Sequence, residues 1–327
     1  MTHCSLETPR SAGPVARVAV ACLLASGCAA SQPSDVAPPA PPPAAPVAST
    51  APPPAAAPAA PVAPVPDAPE PACTALGCRL FDDPTHAFEA VLESKPLVVG
   101  IGEAHAQKGS EGLASTTARF TQQLLPWLAP KSSDIVIELM EPDSKCLKTV
   151  EKVREEQKPV TQEQAGSNQN EFITLGTRAK ESGVQPHVLY PSCEQFDRIV
   201  KAGPDSVFVM LDTIAVLTEQ KAKAILVRNH EAGDPRLVLL YGGAAHNDLV
   251  PRPGRESWSY AKNLQGFTKQ RYVEVDLIVR EYIKDTEVWQ QLPWYPHFDK
   301  TSHRDKFVLF NPAPASYVLI FPASGAR

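Results

Sequence analysis

Two separated segments of this chain close in the same way. Val98-Val99-Gly100-Ile101-Gly102-Glu103-Ala104-His105 and Leu237-Val238-Leu239-Leu240-Tyr241-Gly242-Gly243-Ala244-Ala245-His246 each run through a short apolar stretch, turn on glycine and deliver a histidine in the pattern Gly-x-x-His. Apolar runs of this length without polar alternation read as strands covered on both faces, as in parallel sheets flanked by helices. The histidines then stand at strand ends. An open α/β sheet builds its sites there, because the strands fix the backbone while the loops stay accessible.

A third run, Asp134-Ile135-Val136-Ile137-Glu138-Leu139, carries Glu138 near its end. An ionised glutamate among buried strands needs a partner or a metal. Two histidines with one or two carboxylates are a donor set for a divalent transition metal, with positions left open for water. The same side chains also have a purely structural use, in which Glu103 and Glu138 pair with lysines or cap helices and each histidine donates to a carbonyl.

With Gly102, Glu103 and His105 as a first motif, Glu138 after a second strand, and Gly243 and His246 as a late motif, the chain resembles the superfamily of the Tiki/TraB proteins, the ChaN-like haem-uptake proteins and the erythromycin esterases. The resemblance spans about residues 90–280. It implies an α/β fold in which Glu103, His105, Glu138 and His246 converge on one pocket, as metal ligands, as catalytic residues, or as both. Two departures stand out. Where many members carry an Arg-Asp or Arg-Asn pair at the start of the helix before the last strand, this chain has Thr218-Glu219-Gln220, and Arg228-Asn229 lies close to the next strand. Ala106-Gln107-Lys108-Gly109-Ser110 lacks the further histidines of the ChaN-like members.

The ends of the chain set the compartment. Arg10 and Arg17 precede the apolar stretch Val18 to Ala25, which is too short to span a bilayer and reads as a secretory signal over 1–27. Leu24-Ala25-Ser26-Gly27-Cys28 resembles a bacterial lipobox, so Cys28 is the expected lipidation site and the membrane a partner through that lipid, in the cell envelope. Residues 28–72 are a Pro/Ala-rich linker: the stretch 31–72 holds 16 of the 35 prolines and lacks the side chains for a core. Residues 73–327 are long enough for one domain with a sizeable core. A net charge of −5 offers no basic patch for nucleic acid. Cys73, Cys78, Cys146 and Cys193 remain after the leader, an even number in an exported domain, and favour two disulfides, with Cys73–Cys78 the natural local pair.

Strand and helix patterns alternate through the domain, predicting an α/β fold with a largely parallel central sheet, flanking helices and antiparallel C-terminal edge strands. Helices are expected over 85–93, 112–128, 170–182 and 213–229, and strands over 186–191 and 206–211. The charged stretch 145–164 is assigned no helix, and His187 is read as structural. Residues 271–282 form a long strand candidate with Glu274 and Asp276 alternating against apolar neighbours, and 306–310 and 316–321 are the edge additions. Trp294, Tyr295, His297 and Phe298 either roof the pocket or plug the core.

No Gly-x-Ser-x-Gly elbow, Walker loop, His-Glu-x-x-His pair or Gly-x-Gly-x-x-Gly turn occurs. The leading expectation is hydrolysis of a small-molecule or peptide substrate, with a bound metal activating water and a glutamate as base. In a metal-free version one histidine is the base and the other stabilises the oxyanion. The alternatives are a surface lipoprotein that binds haem or another ligand, with Tyr241 or a motif histidine on the iron, and a degenerate member without catalysis.

Overall fold

The computed structural model describes residues 73–325. The leader over 1–27, Cys28 and the linker 28–72 lie outside the described residues. Eight strands form one sheet: β1 (Arg79–Phe81), β2 (Val98–Glu103), β3 (Ser132–Met140), β4 (Gln185–Leu189), β5 (Leu237–Gly243), β6 (Tyr272–Ile278), β7 (Phe307–Ala313) and β8 (Ser316–Ile320). Their spatial order is β1-β7-β8-β6-β2-β5-β3-β4. From β8 to β4 every pairing is parallel, and β7 runs against both its neighbours, β1 and β8. The expected α/β architecture is present. Of the two C-terminal additions, β7 alone is reversed, and β8 joins the parallel sheet on β6.

Helices cover both faces. Asp83 opens α1 (Pro84–Leu92) by accepting the Thr85 backbone N–H at 2.7 Å, with Pro84 in the first turn, where its missing donor is harmless. A helical run over 116–128, α2, starts on a Ser115 cap and widens into a π turn at Phe120–Leu124 just before Pro126, which has no N–H to give the preceding turn. Then follow α3 (Leu147–Thr161), α4 (Asn168–Glu181), α5 (Cys193–Lys201), α6 (Ser206–Ala232) and α7 (Ala261–Phe267).

Strand alternation sorts the core into two layers. Val99, Ile101, Ile135, Ile137, Leu239 and Val275 pack with residues of α1, α2 and α4 on one face. Val98, Val136, Val238, Leu240 and Tyr272 pack with residues of α6 and α7 on the other. Because β2 and β5 lie at the centre of the sheet, all of β2 and all but the last residue of β5 are buried. That accounts for their unbroken apolar sequence.

Three expectations are corrected. Residues 206–211 are the first turns of the 27-residue helix α6, which ends on Gly233 in the left-handed region, φ 66°. An apolar run as short as Val207–Leu211 does not by itself separate a buried strand from a buried helix. The charged stretch 145–164 contains α3, whose apolar positions Val150 and Val153 pack with Phe196 and Ile199 of α5 in a satellite cluster. Finally, 271–282 is split between β6, an interior strand, and a 3-10 turn at Arg280–Tyr282.

Both disulfides are formed, Cys73–Cys78 and Cys146–Cys193, with Cα separations of 5.3 and 5.2 Å. The second closes a loop of 47 residues, for which loop-entropy reasoning gives a contribution of about 4 kcal/mol. It ties the start of α3 to the start of α5. His187 holds a structural place, its Nε2 2.7 Å from Asp134 Oδ1, and Arg228 donates to Asp134 Oδ2 at 2.6 Å. Burial works against the Asp134 charge, but the hydrogen bonds from His187 and Arg228 prevail and hold its carboxyl below the usual range. Asp134 is four residues from Glu138 along β3, roughly 13 Å, so the Arg228-Asn229 pair serves the amino end of the sheet.

Candidate functional site

The carboxyl ends of β2, β5, β3 and β6 open onto a cavity of about 360 Å³ lined by Glu103, His105, Glu138, His246 and Asp276 among others. Four sequence-predicted residues are therefore brought to one place. The cavity straddles the sheet edge, since Phe172 of α4 lines it from one helical layer and Met210 and Ile214 of α6 from the other. In the order of the sheet, β5 lies between β2 and β3, and the next strand in the chain, β6, lies on the other side of β2. Such a reversal opens a crevice at the strand ends.

Glycine makes room for the floor. A Cβ on Gly242 would stand 2.8 Å from Glu138 Cβ, and one on Gly102 would stand 2.3 Å from Asp276 Oδ1 and 2.8 Å from the Ala244 Cα. Without side chains at these two positions, Glu138 leans over β5 and Asp276 over β2. Gly100 likewise leaves room for the Tyr272 hydroxyl, which donates to the Asn247 carbonyl at 2.9 Å.

Each histidine is paired with a glutamate. Glu103, the last residue of β2, is hydrogen-bonded through Oε1 to His105 Nδ1, and the imidazole edge packs on Phe172 with centroids 5.9 Å apart. The Glu103 side chain is 2% exposed and that of His105 15%, so the imidazole is the more open of the two to the cavity. Its Nε2 lies 3.5 Å from where a Gly243 Cβ would be, as does Glu138 Oε2. His246, on the single helical turn Ala244–Asn247, donates from Nδ1 to the Trp258 carbonyl at 2.7 Å. That bond leaves its Nε2 facing Glu138 Oε1 at 3.5 Å. Glu138 Oε2 accepts the Gly243 backbone N–H at 2.6 Å.

These pairings set the charges. Burial disfavours an imidazolium at His105, but the adjacent Glu103 carboxylate outweighs it, helped by Glu138, and the pKa rises to about 9. Burial likewise works against the charge of His246, and Glu138 raises its pKa on balance. Glu138 itself is buried, which would raise it, yet His246, His105 and the Gly243 N–H bring it down to about 2. At neutral pH the pocket therefore holds imidazolium and carboxylate.

Tyr241 is not brought to the cavity with the other four. Its ring packs against Phe120 and Phe172 inside the core, and its hydroxyl donates to Thr117 Oγ1 at 3.2 Å. Thr117 in turn lies 3.5 Å from Glu103 Oε2, so the tyrosine stands behind the Glu103–His105 pair. Burial pushes its phenol well above the usual range. Trp294 both lines the cavity and packs on Trp289 and Phe310, joining the roof and plug roles. Among the described residues no group of three or more His, Cys, Asp or Glu side chains is arranged as a metal site.

Sequence reasoning missed Asp276 and Asp248 as lining residues, together with a polar wall of Gln157, Gln164, Asn168 and Gln169. The Glu274/Asp276 alternation carried a signal. It reads as a solvent-facing strand side, whereas β6 lies inside the sheet and Glu274 is buried. Burial, with their mutual repulsion adding at Glu274, raises both carboxyls above the ordinary range.

No protein-family model matches the chain, and no curated protein matches it in sequence. Among solved structures, a mutant erythromycin esterase, EreC, in its open conformation aligns over 74% of this chain and 94% of its own, with 10% identity and a TM-score of 0.37. A Bacillus cereus protein aligns over 74% and 93%, with 9% identity and a TM-score of 0.33. Likenesses this distant carry no argument about activity, which rests on the site itself.

Proposed function

We propose that the domain is a hydrolase of ester or amide bonds in a small molecule held in the cavity, with the Glu103–His105 pair as its proton donor. The observation that carries this reading is the hydrogen bond that a buried glutamate accepts from the Nδ1 of a histidine whose ring reaches the cavity wall. A carboxylate in that position fixes the imidazole's orientation and stabilises its charged form. His105 is then poised to donate from Nε2 to the oxyanion and to the departing oxygen or nitrogen. The Glu138–His246 pair, anchored by the Gly243 N–H and the Trp258 carbonyl, keeps a fixed carboxylate beside it. The donor role replaces the base role expected of a histidine, because the glutamate keeps the imidazole charged.

The test is turnover of a panel of p-nitrophenyl and alkyl esters by the purified domain. A donor with a pKa of about 9 is lost as pH rises through that value, so the rate should fall on the alkaline side near pH 9. Glu103→Gln removes the charge that raises His105, so that limb should move to lower pH while the rate drops roughly 10- to 100-fold. An unmoved limb would overturn the pairing. A stoichiometric transition metal in protein purified without chelators, lost together with activity, would favour the metal-assisted version instead. A Soret band on adding haem would turn the reading toward ligand binding.

The envelope location is part of this proposal. Two disulfides suit an oxidising compartment, and a lipid on Cys28 would anchor the domain there. In a bacterial host, Cys28→Ser should move the protein from the membrane fraction to the soluble one; a wild type already soluble would sink the lipid anchor.

A further inference from the structure

The hydrolase reading fills the donor role and leaves the base unassigned: a group must take the proton of the attacking water. Four cavity groups are already committed. His105 is held charged by Glu103, and both ring nitrogens of His246 face acceptors, Nδ1 the Trp258 carbonyl and Nε2 Glu138. Glu138 has one oxygen on the Gly243 N–H and the other facing His246, and a carboxylate stabilised that strongly is a weak base. Asp248 also lines the cavity and burial raises its carboxyl, but it accepts the Val250 N–H at 2.8 Å, and that bond and the Arg252 charge work against the rise.

Resting on that hydrolase reading, we infer that Asp276 is the general base, taking a proton from the water that attacks the substrate carbonyl. Asp276 is in register with Gly102 on the neighbouring strand and lines the cavity floor. Its Oδ1 accepts from Asn247 Nδ2 at 3.1 Å, and among the described residues no hydrogen bond engages Oδ2. Asn247 orients the carboxyl. The Asn247 side chain is fully buried, yet its Oδ1 has no hydrogen-bond partner, and this oxygen and Asp276 Oδ1 both lie within 2.5 Å of the point where a Gly102 Cβ would be. A buried amide oxygen without a donor is costly. Asn247 holds the Asp276 carboxyl through its own N–H, on Oδ1, and leaves Oδ2 as the oxygen able to take the proton. Burial and the nearby Asp248 also raise the Asp276 carboxyl, which makes its carboxylate a stronger base than an exposed aspartate.

In the reaction so assigned, the water oxygen bonds to the carbonyl carbon as one water proton passes to the Asp276 carboxylate. The bond from that carbon to the leaving oxygen or nitrogen then breaks, its electron pair going to the leaving atom, which receives the Nε2 proton of His105. The proton on Asp276 returns to His105 through solvent. Acid and alcohol or amine leave, and both side chains regain their starting states.

The test uses the full chain and the same esters. Asp276→Asn keeps the acceptor for Asn247 Nδ2 and should leave the denaturation midpoint near wild type while lowering kcat at least 100-fold. Asp276→Ala should fall as far and regain at least tenfold on addition of formate, a carboxylate base small enough for the vacated space. A structural role would show no such rescue. A loss that formate does not reverse, or either variant keeping more than a third of the wild-type rate, would overturn the assignment. In that case His105→Asn, if still inactive, would leave the hydrolase reading standing. If Asp276→Asn does not fold, Asp276→Glu must keep more activity than Asp276→Ala for the inference to survive. A wild type inert toward every ester would overturn the hydrolase reading and this inference together.

Discussion

Gly102→Ala should destabilise the domain by about 3 kcal/mol, at the upper end for an overpacked core, and abolish whatever the cavity does. The added methyl would meet the Ala244 Cα at 2.8 Å, and that backbone atom cannot rotate away. It would also displace Asp276 Oδ1 and Asn247 Oδ1, at 2.3 and 2.5 Å. Gly266→Ala is the control. Gly266 lies in α7, a Cβ there meets nothing within 4 Å, and alanine is the better helix former, so this change should raise stability by about 0.5–1 kcal/mol. Denaturation midpoints measured side by side decide the matter, and a Gly102→Ala protein within 1 kcal/mol of wild type would mean that the strand ends are not packed as described.

His105→Asn should lower kcat by about 10²- to 10⁴-fold, or about 3–5 kcal/mol of transition-state stabilisation. Asparagine can still donate to Glu103, so the fold should survive; what disappears is a transferable proton on the cavity side. Esters with good leaving groups need protonation least, so p-nitrophenyl substrates should suffer less than alkyl ones. A uniform loss across leaving groups would limit His105 to oxyanion stabilisation, and no loss would end its catalytic assignment. The pH dependence supplies a second reading of the same group: activity needs the protonated imidazole, present below about 9 and lost above it.

The parts of this molecule that were legible in the sequence share a physical reason. β2 and β5 carry unbroken apolar residues because they lie mid-sheet, and their glycines mark the places where side chains of neighbouring strands cross over them. The Gly-x-x-His spacing therefore located Glu103, His105 and His246, and the Glu138 strand followed from its own apolar run. The cysteine count led to both bridges. Residues 206–211 failed because a short apolar run looks alike in a strand and in a buried helix. Helix α3 failed because its buried side is narrow and meets a satellite cluster away from the main core. Asp276 was hidden by a rule that usually works: alternating charge signals a wet face, and here the face is covered by the turn at Ala244–Asn247 and by the cavity.

The cavity has two kinds of boundary with different freedom to change. Its floor is drawn from strand ends and glycines, where the backbone itself is in contact and substitution is punished. Its walls come from α3, α4, α6 and the segment around 288–294, in chain connections that pack outside the central strands. A descendant of this protein could exchange Gln157, Gln169 or Met210 for other side chains, or lengthen those connections, without disturbing the paired histidines and carboxylates beneath. On the proposed hydrolase reading, substrate preference should thus change more readily than the reaction type, and libraries aimed at new substrates are best confined to the walls.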